Sequence, residues 1–290
     1  MLAYLLAVSL MAEIDRTKPV VYFINQNPTA AYYGNPASRY FADNGYSVVA
    51  TYMRMDNNRS VAFNPVSLRH VIEDIKAINP DIIFVMGTGF SQELRTVFDS
   101  VVIFNLVPGE YDIHIENPMR KLLAIVDKME INRRFYLLRD ETSKSYRFSA
   151  LYRSLLEEEG VDPSNIEIVS SSNTVELEKN LRRLNSQSQS VLINCMYLLR
   201  DVEQAKDRYI DDIKQVITRV NRVHLDVGAY VGYGRNTEAL VLQIDYRNMD
   251  LRGKQAVAIA AYFNPKRLAK LGLEKNYLRS FSLVDGVIDE

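Results

Sequence analysis

The run Asp81-Ile-Ile-Phe-Val-Met86, followed at once by Gly87-Thr-Gly-Phe-Ser-Gln92, decides how this chain is read. A short apolar run bounded by turn residues predicts a buried strand. The polar, hydroxyl-bearing turn after it hands over to a helical stretch, Glu93–Phe98. The same pattern is written again further along. Arg134-Phe-Tyr-Leu-Leu138 ends in Arg139-Asp-Glu-Thr-Ser-Lys-Ser145 ahead of a long predicted helix, Tyr146–Glu159. In open parallel sheets, ligands gather beyond the carboxyl ends of the strands, where turn N–H groups and hydroxyls are available. Two such halves facing each other predict a small-molecule cleft.

Working outward, strands are expected at Lys18–Asn25, Tyr46–Arg54, Ile82–Met86 and Val101–Leu106, with helices at Pro36–Asn44 and Pro65–Ile78. The second half predicts helices Pro118–Met129, Tyr146–Glu159, Thr174–Leu184 and Val202–Val220. Between them fall strands Phe135–Leu138, Ile166–Val169, Val191–Cys195 and His224–Val227. A tyrosine-rich loop, Gly228-Ala-Tyr-Val-Gly-Tyr-Gly234, leads to an extended run, Ala239–Ile244. Asp250 then caps a predicted helix reaching Tyr262, with an alanine-rich face of Ala256, Ala258, Ala260 and Ala261. Strands alternating with helices imply right-handed βαβ units, parallel sheets and the α/β class.

The bulk composition narrows the function. At 290 residues the chain suits one large domain or two lobes. With 35 basic and 36 acidic residues, the net charge of −1 gives no broad field for holding nucleic acid or an anionic membrane. Cys195 is the single cysteine, which rules out an intrachain disulfide. It ends an apolar run, as a buried, inert thiol does. His70, His114 and His224 fall in different elements and show no metal-ligand spacing. There is no phosphate loop, no complete dinucleotide fingerprint after Gly87 and no arguable catalytic triad. No cofactor, metal or catalytic residue is therefore assigned. The uncharged stretch Met1–Ala12, followed by the polar Glu13–Lys18, reads as the apolar core of a secretory signal and predicts export with loss of the first dozen residues.

Four stretches carry a resemblance to a known family: Ile24-Asn-Gln-Asn-Pro28, Met86–Gln92, Leu138–Ser145, and Ile244-Asp-Tyr-Arg-Asn-Met-Asp-Leu-Arg-Gly-Lys-Gln255 with Ala256. In that order, over about residues 20 to 265, the chain resembles the type I periplasmic binding proteins, in particular the ABC-importer components related to the aromatic amino acid group. The resemblance implies two Rossmann-like lobes with parallel sheets joined by a hinge. It places residues 18–115 plus 245–270 in lobe 1 and 118–243 plus 271–290 in lobe 2, after a leader at 1–17. It also implies a monomer in the periplasm or outside the cell, whose partners are a small-molecule ligand and an ABC permease or a sensor protein. The chain departs from the family at Val107–Asp112, which is shortened, and at Asn194, where an aspartate is expected.

The candidate ligand-binding residues follow from these turns. Thr88, Ser91 and Gln92 suit a carboxylate through hydroxyls and helix-start N–H groups, although Thr and Ser also serve as ordinary caps. Asn27, Tyr32, Tyr33 and Tyr230 lie in loops expected at the cleft rim. There tyrosine offers a flat surface with a polar tip, in a chain holding 18 of them. Glu141, Thr142 and Ser145 suit an amino or hydroxyl group, and Asn194 stands where the family carries its acid. The function expected is solute binding for an importer, with an amino acid as the candidate ligand. The alternatives are a ligand sensor for a signalling partner and a two-lobed sugar-nucleotide enzyme, which needs a glycine-rich phosphate turn that is absent here.

Overall fold

The computed structural model describes residues 14–25, 39–52, 65–86, 91–105, 112–201, 206–229, 238–249 and 255–288. The chain divides into two compact units, Met1–Glu116 with Asp245–Ala258 and Asn117–Ile244 with Ile259–Glu290.

In unit 1, β1 (Val20–Asn25), β2 (Ser47–Tyr52), β3 (Ile82–Met86), β4 (Val101–Asn105), β5 (Ile113–Ile115) and β13 (Gln255–Val257) form one sheet in the order β13-β5-β4-β3-β1-β2. Every pairing in it is parallel. Its strands are apolar on both faces, as a sheet covered on both sides requires. Val20, Tyr22, Ile24, Ile83 and Val85 pack with Val71 and Ile75 of α1 (Pro65–Ile78) and Leu94 of α2 (Ser91–Arg95). Successive side chains alternate between faces, so Phe23 and Phe84 belong to the opposite one. There Phe23 stacks on Phe84 at 5.5 Å between ring centroids, and Phe84 meets Phe104 at 5.8 Å and Phe41 at 5.0 Å.

In unit 2 the sheet order is β15-β14-β12-β11-β8-β6-β7. Its strands are β6 (Phe135–Arg139), β7 (Ile166–Ser170), β8 (Val191–Asn194), β11 (Leu225–Ala229), β12 (Leu240–Ile244), β14 (Ile259–Phe263) and β15 (Gly286–Val287). Helices α3 (Pro118–Lys128), α4 (Ser143–Glu158), α5 (Thr174–Leu184), α6 (Ile210–Val220), α7 (Pro265–Lys270) and α8 (Glu274–Ser280) complete it. Leu177, Leu181 and Leu184 of α5 and Ile213, Ile217 and Val220 of α6 cover Tyr136, Leu138 and Leu192 on one sheet face. Helix starts are capped by the residues suited to it: Asn117 accepts from Met119 N, and Asn173 from Glu176 N.

Along the two sheets, β2-β1-β3-β4-β5 and β7-β6-β8-β11-β12 are the same doubly wound order. The fold is α/β, with two Rossmann-like units and parallel-dominated sheets.

Three expectations are corrected. The alanine-rich stretch to Tyr262 is two strands, β13 and β14, because Ile259–Phe263 pairs antiparallel with the whole of β12, from Ile244↔Ile259 to Leu240↔Phe263. Partners in the sheet outweigh the helix preference of alanine. The same pairing moves residues 259–270 out of the first lobe and into unit 2. The helix expected over Val202–Val220 starts only at Ile210. Lys206–Tyr209 is β10, which pairs antiparallel with β9 (Leu198–Asp201), setting Asp207 opposite Arg200. Opposite charges across an antiparallel pair favour the hairpin. The helix expected at Pro36–Asn44 is described over 39–43, where it is helical.

Candidate functional site

In a doubly wound sheet, binding occurs at the point where strand order reverses. That point lies between β1 and β3 in unit 1 and between β6 and β8 in unit 2. The turn leaving β6 and the turn leaving β8 are both described, and one buried side chain joins them.

That side chain is Asp140, which is 1% exposed. Its Oδ1 accepts from Thr142 N at 2.8 Å and from Thr142 Oγ1 at 2.5 Å. Its Oδ2 accepts from Tyr197 N at 2.5 Å and Leu198 N at 2.7 Å, at the entry to the β9–β10 hairpin. Its own N–H donates to Ser145 Oγ at 2.9 Å. Thr142 is the N-cap of α4, its Oγ1 accepting from Ser145 N. Next door, Asn194 closes β8 with an Asx turn, its Oδ1 accepting from Met196 N at 3.0 Å.

The structure brings Thr142 and Ser145 together and engages both hydroxyls in building the turn. Ser145 is fully buried, and Glu141 is exposed beside them. Asn194 lies at the end of the neighbouring strand, partly buried. In unit 1, Ser91 is buried at the first residue of α2, and Gln92 follows it in that helix. Asn27, Tyr32, Tyr33, Thr88 and Tyr230 lie outside the described residues.

Cations and rings surround the unit 2 turn. The Arg139 guanidinium sits 4.0 Å from the Tyr146 ring centroid and donates to Ser170 Oγ through Nε and Nη2. Lys144 Nζ lies 5.6 Å from the Tyr197 ring centroid, and Tyr197 packs on Phe148 at 5.4 Å. Loss of water around Lys144 lowers its ammonium pKa. An exposed carboxylate, an ammonium and two rings suit a ligand that carries charge and a flat body. Asp140, Lys144, Tyr146 and Tyr197 are the residues that sequence reasoning missed. Asp140 stood inside the quoted turn, one position from Glu141, but nothing local tells which of two adjacent acids is buried.

Covalent chemistry finds no nucleophile in Cys195. Burial, and then the negative charge of Asp140, push its thiol pKa well above the usual range, so it stays protonated. Among the described residues, no three His, Cys, Asp or Glu side chains gather as a metal site. No helix among them is long and apolar enough to cross a membrane.

No protein-family model matches the chain, and no curated protein sequence matches it. Solved structures do. An ABC domain in complex with L-Trp from Streptococcus pneumonia is 11% identical, covering 93% of this chain and 100% of that one, with a TM-score of 0.47. A periplasmic ribose ABC transporter structure from Conexibacter woesei is 14% identical, covering 91% and 95%, with a TM-score of 0.46. The lactose repressor bound to an anti-inducer is 10% identical, covering 83% and 97%, with a TM-score of 0.48. These are likenesses of backbone path, shared with proteins described as transporter and as repressor alike.

Proposed function

We propose that this chain is an extracytoplasmic solute-binding protein that closes its two units on a small ligand and presents the closed form to the permease of an ABC importer. The ligand is an amino acid or a close analogue. Thr88, Ser91 and Gln92 take its carboxylate, Tyr32 or Tyr33 covers its apolar part, and Glu141 meets its ammonium. The observation that carries the reading is the polar turn Arg139–Ser145, locked to the β8 turn at the strand-order reversal, with Glu141 exposed beside it. Closure requires only that the ligand favour one state over the other.

A thermal-shift screen of amino acids, small peptides and sugars tests this. A true ligand at about a hundred times its dissociation constant stabilises by roughly 2.7 kcal/mol. Stabilisation by an amino acid, weakened in Thr88→Val and Glu141→Gln, supports the proposal. A response to sugars alone removes the amino acid, and no response in any class removes the binding role.

A further inference from the structure

We infer that Asp140 is a positioning residue, whose buried carboxylate fixes the β6–α4 turn against the β8–β9 turn and so presets Glu141, Lys144 and Tyr197 as one ligand-facing rim. The inference rests on the solute-binding reading and adds the residue that holds its unit 2 half in shape.

Three features carry it. Asp140 is almost fully buried, while Glu141 beside it is exposed, so the two acids have different work. The carboxylate is shared: Oδ1 takes the N–H and hydroxyl of Thr142, and Oδ2 takes the N–H groups of Tyr197 and Leu198, 57 and 58 residues away. A buried carboxylate is costly unless its oxygens are filled, and here both are. Finally, the neighbouring hydroxyls are spent on the same knot, Ser145 Oγ on Asp140 N and Thr142 Oγ1 on Ser145 N. Asp140 makes no contact of its own to offer a ligand. Its neutral isostere, asparagine, presents one oxygen and one NH2 group, so in Asp140→Asn one of the two turns must lose its acceptor.

The test uses the full chain as wild type, Asp140→Asn and Asn173→Ala, the last removing a helix cap outside the rim as a control for general destabilisation. Amide hydrogen exchange is read at Tyr197 and Leu198, and calorimetry with L-tryptophan as the probe is run well below every melting temperature. The expected result is exchange about tenfold or more faster at one or both amides in Asp140→Asn, with L-tryptophan affinity about tenfold weaker. Asn173→Ala leaves both readouts at the wild-type level. Unchanged exchange in Asp140→Asn overturns the inference, and so does faster exchange with unchanged affinity, which makes Asp140 structural only. If Asp140→Asn does not fold, the wild type decides. Tyr197 and Leu198 amides protected like those of β8 support the knot, and amides as fast as exposed turns overturn it. If the wild type does not bind L-tryptophan, the amino acid giving the largest thermal shift replaces it as the probe; if none binds, the positioning role falls with the solute-binding reading, and exchange then decides only whether Asp140 locks the two turns together.

Discussion

In unit 1, the sheet face bearing Phe23 and Phe84 is filled by rings, Phe23, Phe41, Phe84 and Phe104, all fully buried and in contact within 6.4 Å between centroids. Unit 2 has the same strand order but buries charge. Arg267 of α7 is 2% exposed and reaches Asp226 of β11 through Nε at 2.9 Å and through Nη2. It also donates to the carbonyls of Thr218 and Asn221. Asp226 in turn accepts from Ala239 N and Asn221 Nδ2. Lys214 of α6 pairs with Glu238 at 2.9 Å, both buried. Gly228 of β11 lies against that pair, since a Cβ there would meet Glu238 Cδ at 3.2 Å. One topology therefore tolerates two kinds of interior. Rings supply area burial without demanding partners, whereas buried charges are stable only while every partner is present.

That contrast predicts where each unit breaks. The largest effect is expected for Arg267→Leu, which leaves Asp226 buried without its cation and destabilises unit 2 by about 3–5 kcal/mol. Denaturant melts with amide exchange resolved by unit should show unit 1 unaffected; equal loss in both units would break the comparison. The Lys214→Met change alone is expected to cost roughly 3 kcal/mol, and adding Glu238→Gln to recover much of it, because both buried charges are then gone. A double variant as unstable as the single would mean that the pair holds something besides itself.

Phe84→Leu comes next, at about 1–3 kcal/mol in unit 1, by lost area and imperfect refilling of the ring cluster. Its effect should be insensitive to salt and pH, measured by melts in varied buffers. A pH dependence should appear in unit 2 instead. His224 is fully buried, its Nε2 donating to Leu184 O at 2.8 Å, its Nδ1 without a partner among the described residues, and its ring edge-on to Tyr136. Burial lowers its pKa, against the Leu184 bond and the charge of Asp226, which raise it. The unfolded chain protonates this ring near pH 6.5 and the folded chain only below that. Stability from this group is thus complete above about pH 6.5 and declines as pH falls below it. Melts from about pH 8 to 5 should show that decline in the wild type and less of it in His224→Gln. It is the smallest of these effects, since two of the three influences on the ring offset burial.

Much of the fold was legible in the residues themselves. Short apolar runs such as Ile82–Met86 and Phe135–Arg139 are strands, and the leucine spacing of Thr174–Leu184 is a helix with the bounds expected. Local chemistry suffices there, because side-chain periodicity and capping act within a few residues. The unit 2 turn was legible as a polar turn too, with Thr142 and Ser145 side by side.

Tertiary pairing decided the rest. Alanine at 256, 258, 260 and 261 favours a helix in isolation, but β5 takes Ala256 into β13, and β12 takes Ala260 and Ala261 into β14 by offering a full ladder of hydrogen bonds. Lys206–Tyr209 reads as part of a helix until Leu198–Asp201 stands beside it with complementary charges. Asp140 and Glu141 are equivalent in sequence, and only the arrival of Tyr197 N and Leu198 N from the β8 turn makes one a buried clamp and leaves the other exposed. Contacts between residues this far apart have no signature at either end, because neither partner's local preference depends on the other until the sheet brings them together.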